Sequence, residues 1–83
     1  MPMASRVELR LPDFELHARA ITACSWHASV GQRVVEGDRL LEVLAGDVTV
    51  ELSSPASGVL TEKCVERDDL LTAGQLLAVI ETA

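Results

Sequence analysis

Glu42-Val43-Leu44-Ala45-Gly46-Asp47-Val48-Thr49-Val50-Glu51-Leu52 sets two apolar-alternating runs on either side of a Gly-Asp pair. Alternation with period two marks β-strands, and a two-residue connection between them marks a β-hairpin. Such a turn needs a first central residue that accepts positive φ, and glycine does so without a Cβ penalty. The sequence therefore predicts a hairpin with its tip at Gly46-Asp47. The rest of the chain is arranged to hold that tip out.

Outward from the hairpin, the same kind of signal recurs. Val7-Glu8-Leu9-Arg10-Leu11 alternates strictly and is stopped by Pro12-Asp13. Residues 14–19 show no clear period and are expected to form a loop that carries His17, read as solvated. Residues 20–28 are expected to form a strand with Thr22, Cys24, Trp26 and Ala28 on one face, Trp26 being the core anchor and His27 facing the other way. Glycines 31 and 37 mark turns around a short strand at Val34. Ser53-Ser54-Pro55-Ala56-Ser57-Gly58 breaks the strand that returns from the hairpin, Val59 to Val65 resumes it, and Glu66-Arg67-Asp68-Asp69 is a charged turn. Leu70-Leu71 is a short strand, Thr72-Ala73-Gly74-Gln75 turns again, and Leu76 to Ile80 is the last strand.

These elements form an internal repeat. A shift of 37 residues lays Val34 on Leu71, Gly37 on Gly74, Leu40 on Leu77, Val43 on Ile80 and Ala28 on Val65. Two halves of one plan imply a quasi-two-fold domain. The counterpart of the Gly46-Asp47 tip falls where the chain begins and ends, so the termini are expected side by side at the pole opposite the tip. Short strands with frequent turns and no helical period give an all-β fold, a flattened barrel or sandwich of two antiparallel sheets. Residues 1–5 are expected to be a disordered tail and residues 6–83 a single domain.

Composition narrows the function. The 83 residues are 48% hydrophobic but only 2% aromatic, so the core must be aliphatic. Net charge is −6 and Lys63 is the single lysine, so no basic patch exists for nucleic acid or an anionic membrane. No apolar run is long enough to span a bilayer, and Met1 to Ser5 lacks the apolar segment of a secretion signal, so the chain is expected to be cytoplasmic. Cys24 and Cys64 have neither a Cys-x-x-Cys nor a Cys/His metal spacing and are read as free thiols. There is no phosphate-binding glycine loop and no nucleophile elbow. His27 and Cys64 are equivalent under the repeat, which leaves a Cys/His pair open, but a sandwich of this size offers little room for a pocket. The chain is read as non-catalytic, with no metal site.

From about Val7 to Ile80 the sequence resembles the lipoyl domains of 2-oxo-acid dehydrogenase acyltransferases, within the wider biotinyl/lipoyl carrier family. Seven segments carry the resemblance in order: Leu11-Pro12-Asp13, Trp26, Val30-Gly31-Gln32-Arg33-Val34, Glu36-Gly37-Asp38, Leu41-Glu42-Val43, Ser54-Pro55-Ala56-Ser57-Gly58, and Ala73 to Ile80. The resemblance implies the barrel-sandwich hybrid fold of that family. It also implies that the hairpin tip is where carrier members hold the lysine that is acylated with lipoate or biotin. Laid on that pattern without a gap, the lysine position falls on Asp47, preceded by Gly46, and neither neighbour supplies an amine.

Two functional readings follow. In the first, no cofactor is attached, and the domain is a protein-interaction module or degenerate carrier. Gly46, Asp47, Glu42 and Glu51 would meet a basic groove on a 2-oxo-acid dehydrogenase-like, lipoyl-processing or biosynthetic partner. In the second, the chain is a true carrier, of lipoate for instance, through Lys63, Cys24 or Cys64. The bland reading of Lys63 is a stem packed on the core edge with its charge in water. That of Asp47 is good turn chemistry.

Overall fold

A computed structural model describes residues 5–14 and 20–82. Its eight strands are β1 (Ser5–Arg10), β2 (Ile21–Trp26), β3 (Arg33–Val34), β4 (Arg39–Ala45), β5 (Val48–Ser53), β6 (Gly58–Lys63), β7 (Leu70–Leu71) and β8 (Leu76–Thr82). Ser5, assigned to the tail by its sequence, is the first residue of β1 and pairs with Thr82. His17 and most of its expected loop lie outside the described residues.

The strands make two four-stranded antiparallel sheets. One runs β5-β4-β2-β7 and carries the hairpin, and the other runs β1-β8-β6-β3 and carries both ends of the chain. The repeat is visible in the topology. Strands at 21–26, 33–34 and 39–45 recur at 58–63, 70–71 and 76–82, and β5 flanks β4 as β1 flanks β8. Each sheet is thus the counterpart of the other, strand for strand.

The repeat extends to single hydrogen bonds. The Gly31 N–H donates to the Leu60 carbonyl at 2.7 Å, and in the other half the Asp68 N–H donates to Ala23 at 2.8 Å. Gly37 N–H to Ser54 (2.9 Å) is matched by Gly74 N–H to Leu11 (2.8 Å). Four turns share one device, an amide or carboxylate oxygen that reaches back three residues to a backbone N–H. Gln32 accepts from Ser29, Asp38 from Val35, Asp69 from Glu66 and Gln75 from Thr72, at 2.8 to 3.0 Å. A turn closed this way satisfies a donor that the sheets leave over.

The core lies between the sheets. Leu40, Leu41, Val43, Leu60, Leu77 and Ile80 are all at 0% exposure, with Ala23, Val34, Leu52 and Leu71 packed around them. Strict alternation fails in β2. The register shifts between Ala23 and Ser25, so Cys24 is a bulge residue. The bulge moves the inward set by one. Ala23 is buried, Thr22 and Ser25 face out, and Cys24 is only half-buried, contrary to the single face expected for Thr22, Cys24, Trp26 and Ala28. Thr61 holds the equivalent bulge in β6. Trp26 keeps its inward direction. It packs against the core, and its indole N–H donates to the Val65 carbonyl at 3.0 Å.

Candidate functional site at the hairpin tip

Ala45 and Val48 are the last residues paired across β4 and β5, leaving Gly46 and Asp47 as a two-residue connection. Gly46 has φ 63°, whereas Asp68 is the one non-glycine with positive φ among the described residues. Positive φ at the first central position alone is the signature of a type II′ turn, whose twist matches the strands it joins. The Gly46 N–H donates to the Ala20 carbonyl at 3.2 Å, which ties the tip to the chain entering β2. Asp47 is exposed and has no hydrogen-bond or ion-pair partner among the described residues.

Glu42 and Glu51 face each other across β4 and β5, three residues or about 10 Å from the last pair of the hairpin. They point away from the core, since Val43 beside Glu42 and Leu52 beside Glu51 point into it. Like charges directly opposite repel, and His27 meets the pair, its Nε2 at 3.0 Å from Glu51 Oε2. The four residues expected to face a partner thus form a tip and an acidic pair behind it on the same hairpin.

Lys63 is elsewhere. It ends β6, and its Nζ stands 5.1 Å from the centre of the Trp26 ring. Lys63 and Trp26 are equivalent under the repeat, so their contact puts both beside the pseudo-two-fold axis, at the waist of the domain. The long axis is 47 Å, about twice the ~23 Å span of a seven-residue strand. That length agrees with a tip and paired termini standing at opposite poles. The stem of Lys63 is half-buried and its charge lies on an aromatic face, a cation–π contact.

Among the described residues no hydrogen bond joins the thiols of Cys24 and Cys64 to His27. Cys24 and Cys64 are both free thiols, the first half-buried and the second exposed. His27 and Cys64 make matching backbone bonds, to the carbonyls of Leu40 (2.8 Å) and Leu77 (2.9 Å), but the imidazole is engaged by Glu51. Among the described residues no group of three His, Cys, Asp or Glu side chains is placed to hold a metal. One feature departs from the sequence expectation. An open groove of ≈ 410 Å³ lies beside His27, Gln32, Asp38 and Arg39. Little room for a pocket was expected, but the groove opens where β4 starts, with Ala28, Val34 and Leu40 of the core among its lining. Its lining includes no Ser, Thr, Cys or Lys side chain to act as a nucleophile.

Comparison with known proteins bears on this geometry. The family model described as "Biotin-requiring enzyme", the biotin/lipoyl family, matches residues 7–80. The chain is 36% identical over 81 residues to the dihydrolipoyllysine-residue acetyltransferase component of the pyruvate dehydrogenase complex of Corynebacterium glutamicum, covering 98% of this chain and 12% of that protein. It is 30% identical to the dihydrolipoyllysine-residue succinyltransferase components of the 2-oxoglutarate dehydrogenase complexes of Staphylococcus saprophyticus and Bacillus subtilis. Those matches cover 88% of this chain, and 17% and 18% of the two relatives. The two sheets, the quasi-two-fold repeat and the projecting hairpin are the architecture of a carrier domain, and the chain belongs to the biotin/lipoyl family. It spans less than a fifth of the length of these relatives.

The tip does not fit the group that this family implies. Lipoate and biotin are held by an amide to a lysine amine, and Gly46, Asp47 and Val48 offer none. A carboxylate cannot form that amide with the carboxyl group of either cofactor. No helix of the described residues is long and apolar enough to cross a membrane.

Proposed function

We propose that this chain is a lipoyl-like docking module. It has no swinging arm, carries Asp47 in place of the modified lysine, and binds a 2-oxo-acid dehydrogenase-like or lipoyl-processing partner through the tip. The carrying observation is the tip itself. The hairpin keeps its turn, while the residue presented is an exposed carboxylate with no partner among the described residues. Asp47, Glu42 and Glu51 give the hairpin a negative surface that a basic groove would attract and orient. On this reading the domain does no chemistry of its own and works in the cytoplasm, apart from membranes and nucleic acid.

The competing reading is a carrier that uses Lys63, Cys24 or Cys64; position disfavours Lys63 and Cys24, while the exposed Cys64 is left to the mass test below. The Lys63 amine lies on Trp26 at the waist, and Cys24 sits half-buried in a bulge. An arm fixed at either place would not start from a projecting pole. Intact-mass measurement tests the two readings. The domain incubated with lipoate ligase or biotin ligase, and the domain purified from its own host, should show the unmodified mass. An added lipoyl or biotinyl group on either sample would overturn the docking-module reading.

A further inference from the structure

The quasi-two-fold repeat supplies an internal comparison for every solvent-facing position. Consider the outward-facing row nearest the tip. Thr49 pairs with Leu44, Leu44 with Thr22 and Thr22 with Leu70, so these four side chains cross all four strands of the hairpin sheet in register. The equivalent row on the other sheet is Arg6, Glu81, Val59 and Arg33, again in unbroken register. One row is uncharged throughout, and the other carries three charges in the same four places.

The rows behind them differ as well. On the terminal sheet, Val79 faces outward between Glu8 and Glu62, yet it is 1% exposed. Ion pairs roof it: Arg6 to Glu62 at 2.9 Å and Arg10 to Glu8 at 3.0 Å. The hairpin sheet has no such roof. Leu44 is 37% and Leu70 74% exposed, and behind them stand Glu51, Glu42 and Ser25, with the His27 imidazole 3.0 Å from Glu51. The same backbone therefore carries a charged outer face, ion-paired through Arg6, Glu8, Arg10 and Glu62. Nothing in the fold asks for leucines at 44 and 70.

We infer that the outer face of β5-β4-β2-β7, centred on Leu44 and Leu70, is a protein-docking surface. Its occupant is a heterologous protein that presents apolar side chains flanked by lysine or arginine. The apolar row supplies the contact that water is driven from. Acidic residues bound it on three sides: Asp47 at the tip, Glu42 and Glu51 behind, and Asp68 and Asp69 next to Leu70, where Arg67 is the one cation of the turn. A second copy of this chain is excluded as occupant by charge, since an isologous contact would set these carboxylates against one another. The inference rests on the docking reading above and extends it from the tip to a whole sheet face.

The test exchanges the row for its counterpart. Leu44→Glu with Leu70→Arg installs the residues that the terminal sheet already carries at those positions, adds no net charge, and leaves the tip intact. Circular dichroism and the melting midpoint should match the parent. The probe is the purified pyruvate dehydrogenase complex of the host, titrated against each domain, with backbone amide shifts recorded on the labelled domain. Affinity should fall tenfold or more in the double variant, because central apolar contacts dominate such interfaces. In the parent, shifts should run along Thr22, Leu44, Thr49 and Leu70 and spare Arg6, Val59 and Arg33. Equal binding by parent and variant, or shifts confined to residues 46–48, would overturn the sheet face while leaving the tip reading standing. Absence of binding by the parent would overturn both. A parent dimer in sedimentation that the double variant dissolves would overturn the heterologous occupant.

Discussion

Asp47→Lys restores to the tip the one group that a carrier needs, and the structure fixes what the change should cost. Asp47 has negative φ, so a lysine there meets no left-handed strain. It is exposed and has no partner among the described residues, so no bond is lost. Stability should change by less than about 0.5 kcal/mol, which holds the melting midpoint within about 4 °C in a domain of this size. Gly46 provides the contrast. At φ 63° a β-branched residue pays the left-handed penalty, so Gly46→Val should cost about 1–2 kcal/mol. The functional readout is intact mass after incubation with lipoate ligase. The parent should gain nothing, and Asp47→Lys should gain one lipoyl group per chain. A folded Asp47→Lys domain that stays unmodified would show that this hairpin is not presented as an attachment pole. A variant that unfolds would refute the projecting, unstrained tip.

Three further outcomes follow from the packing. An alanine Cβ at Gly58 would lie on the carbonyl of Glu81, within 3 Å of backbone on β8, so Gly58→Ala must push β6 from β8. It should lower stability by about 2–3 kcal/mol, read as a melting midpoint at least 8 °C lower. Asp68→Gly relieves the one left-handed non-glycine among the described residues, at a position that the other half fills with Gly31. Chemical denaturation should show a gain of about 0.5 kcal/mol, and a loss would mean that the Asp68 side chain holds its turn. Lys63→Met removes the cation from Trp26 while keeping the stem. It should cost no more than about 1 kcal/mol in denaturant titration and leave partner binding unchanged.

The sequence made the fold legible because period, turn residues and repeat agree. Alternation around Gly46-Asp47, the glycines at 31, 37 and 74, and Leu40 recurring as Leu77 each point to the same two-sheet plan. Bulges were hidden. Residues 20–28 alternate plausibly in either phase, and only pairing with β4 reveals that Cys24 is the extra residue. The turn device was visible as Gly-Gln, Gly-Asp and Asp-Asp pairs, but its uniformity needs the distances. The hairpin was found from local chemistry, and the repeat and the family resemblance made its tip a site. The outer row was not found, since Thr22, Leu44, Thr49 and Leu70 are scattered along the chain and become neighbours only through the register of three strand pairs.

A fold built twice from one chain separates what packing requires from what it merely permits. Asymmetry inside the domain has structural causes: Gly58 answers to Ile21 because the Glu81 carbonyl fills the space that a side chain would take. Asymmetry in solvent has no such cause. The terminal sheet covers Val79 with ion-paired side chains, whereas the hairpin sheet leaves Leu44 and Leu70 in water beside unroofed carboxylates. The other half carries Glu81 and Arg33 in the places of Leu44 and Leu70, so the fold does without leucines there. The tip and that face adjoin on one sheet. On the docking reading such a surface is required: with no cofactor to be recognised, affinity would have to come from the domain's own side chains.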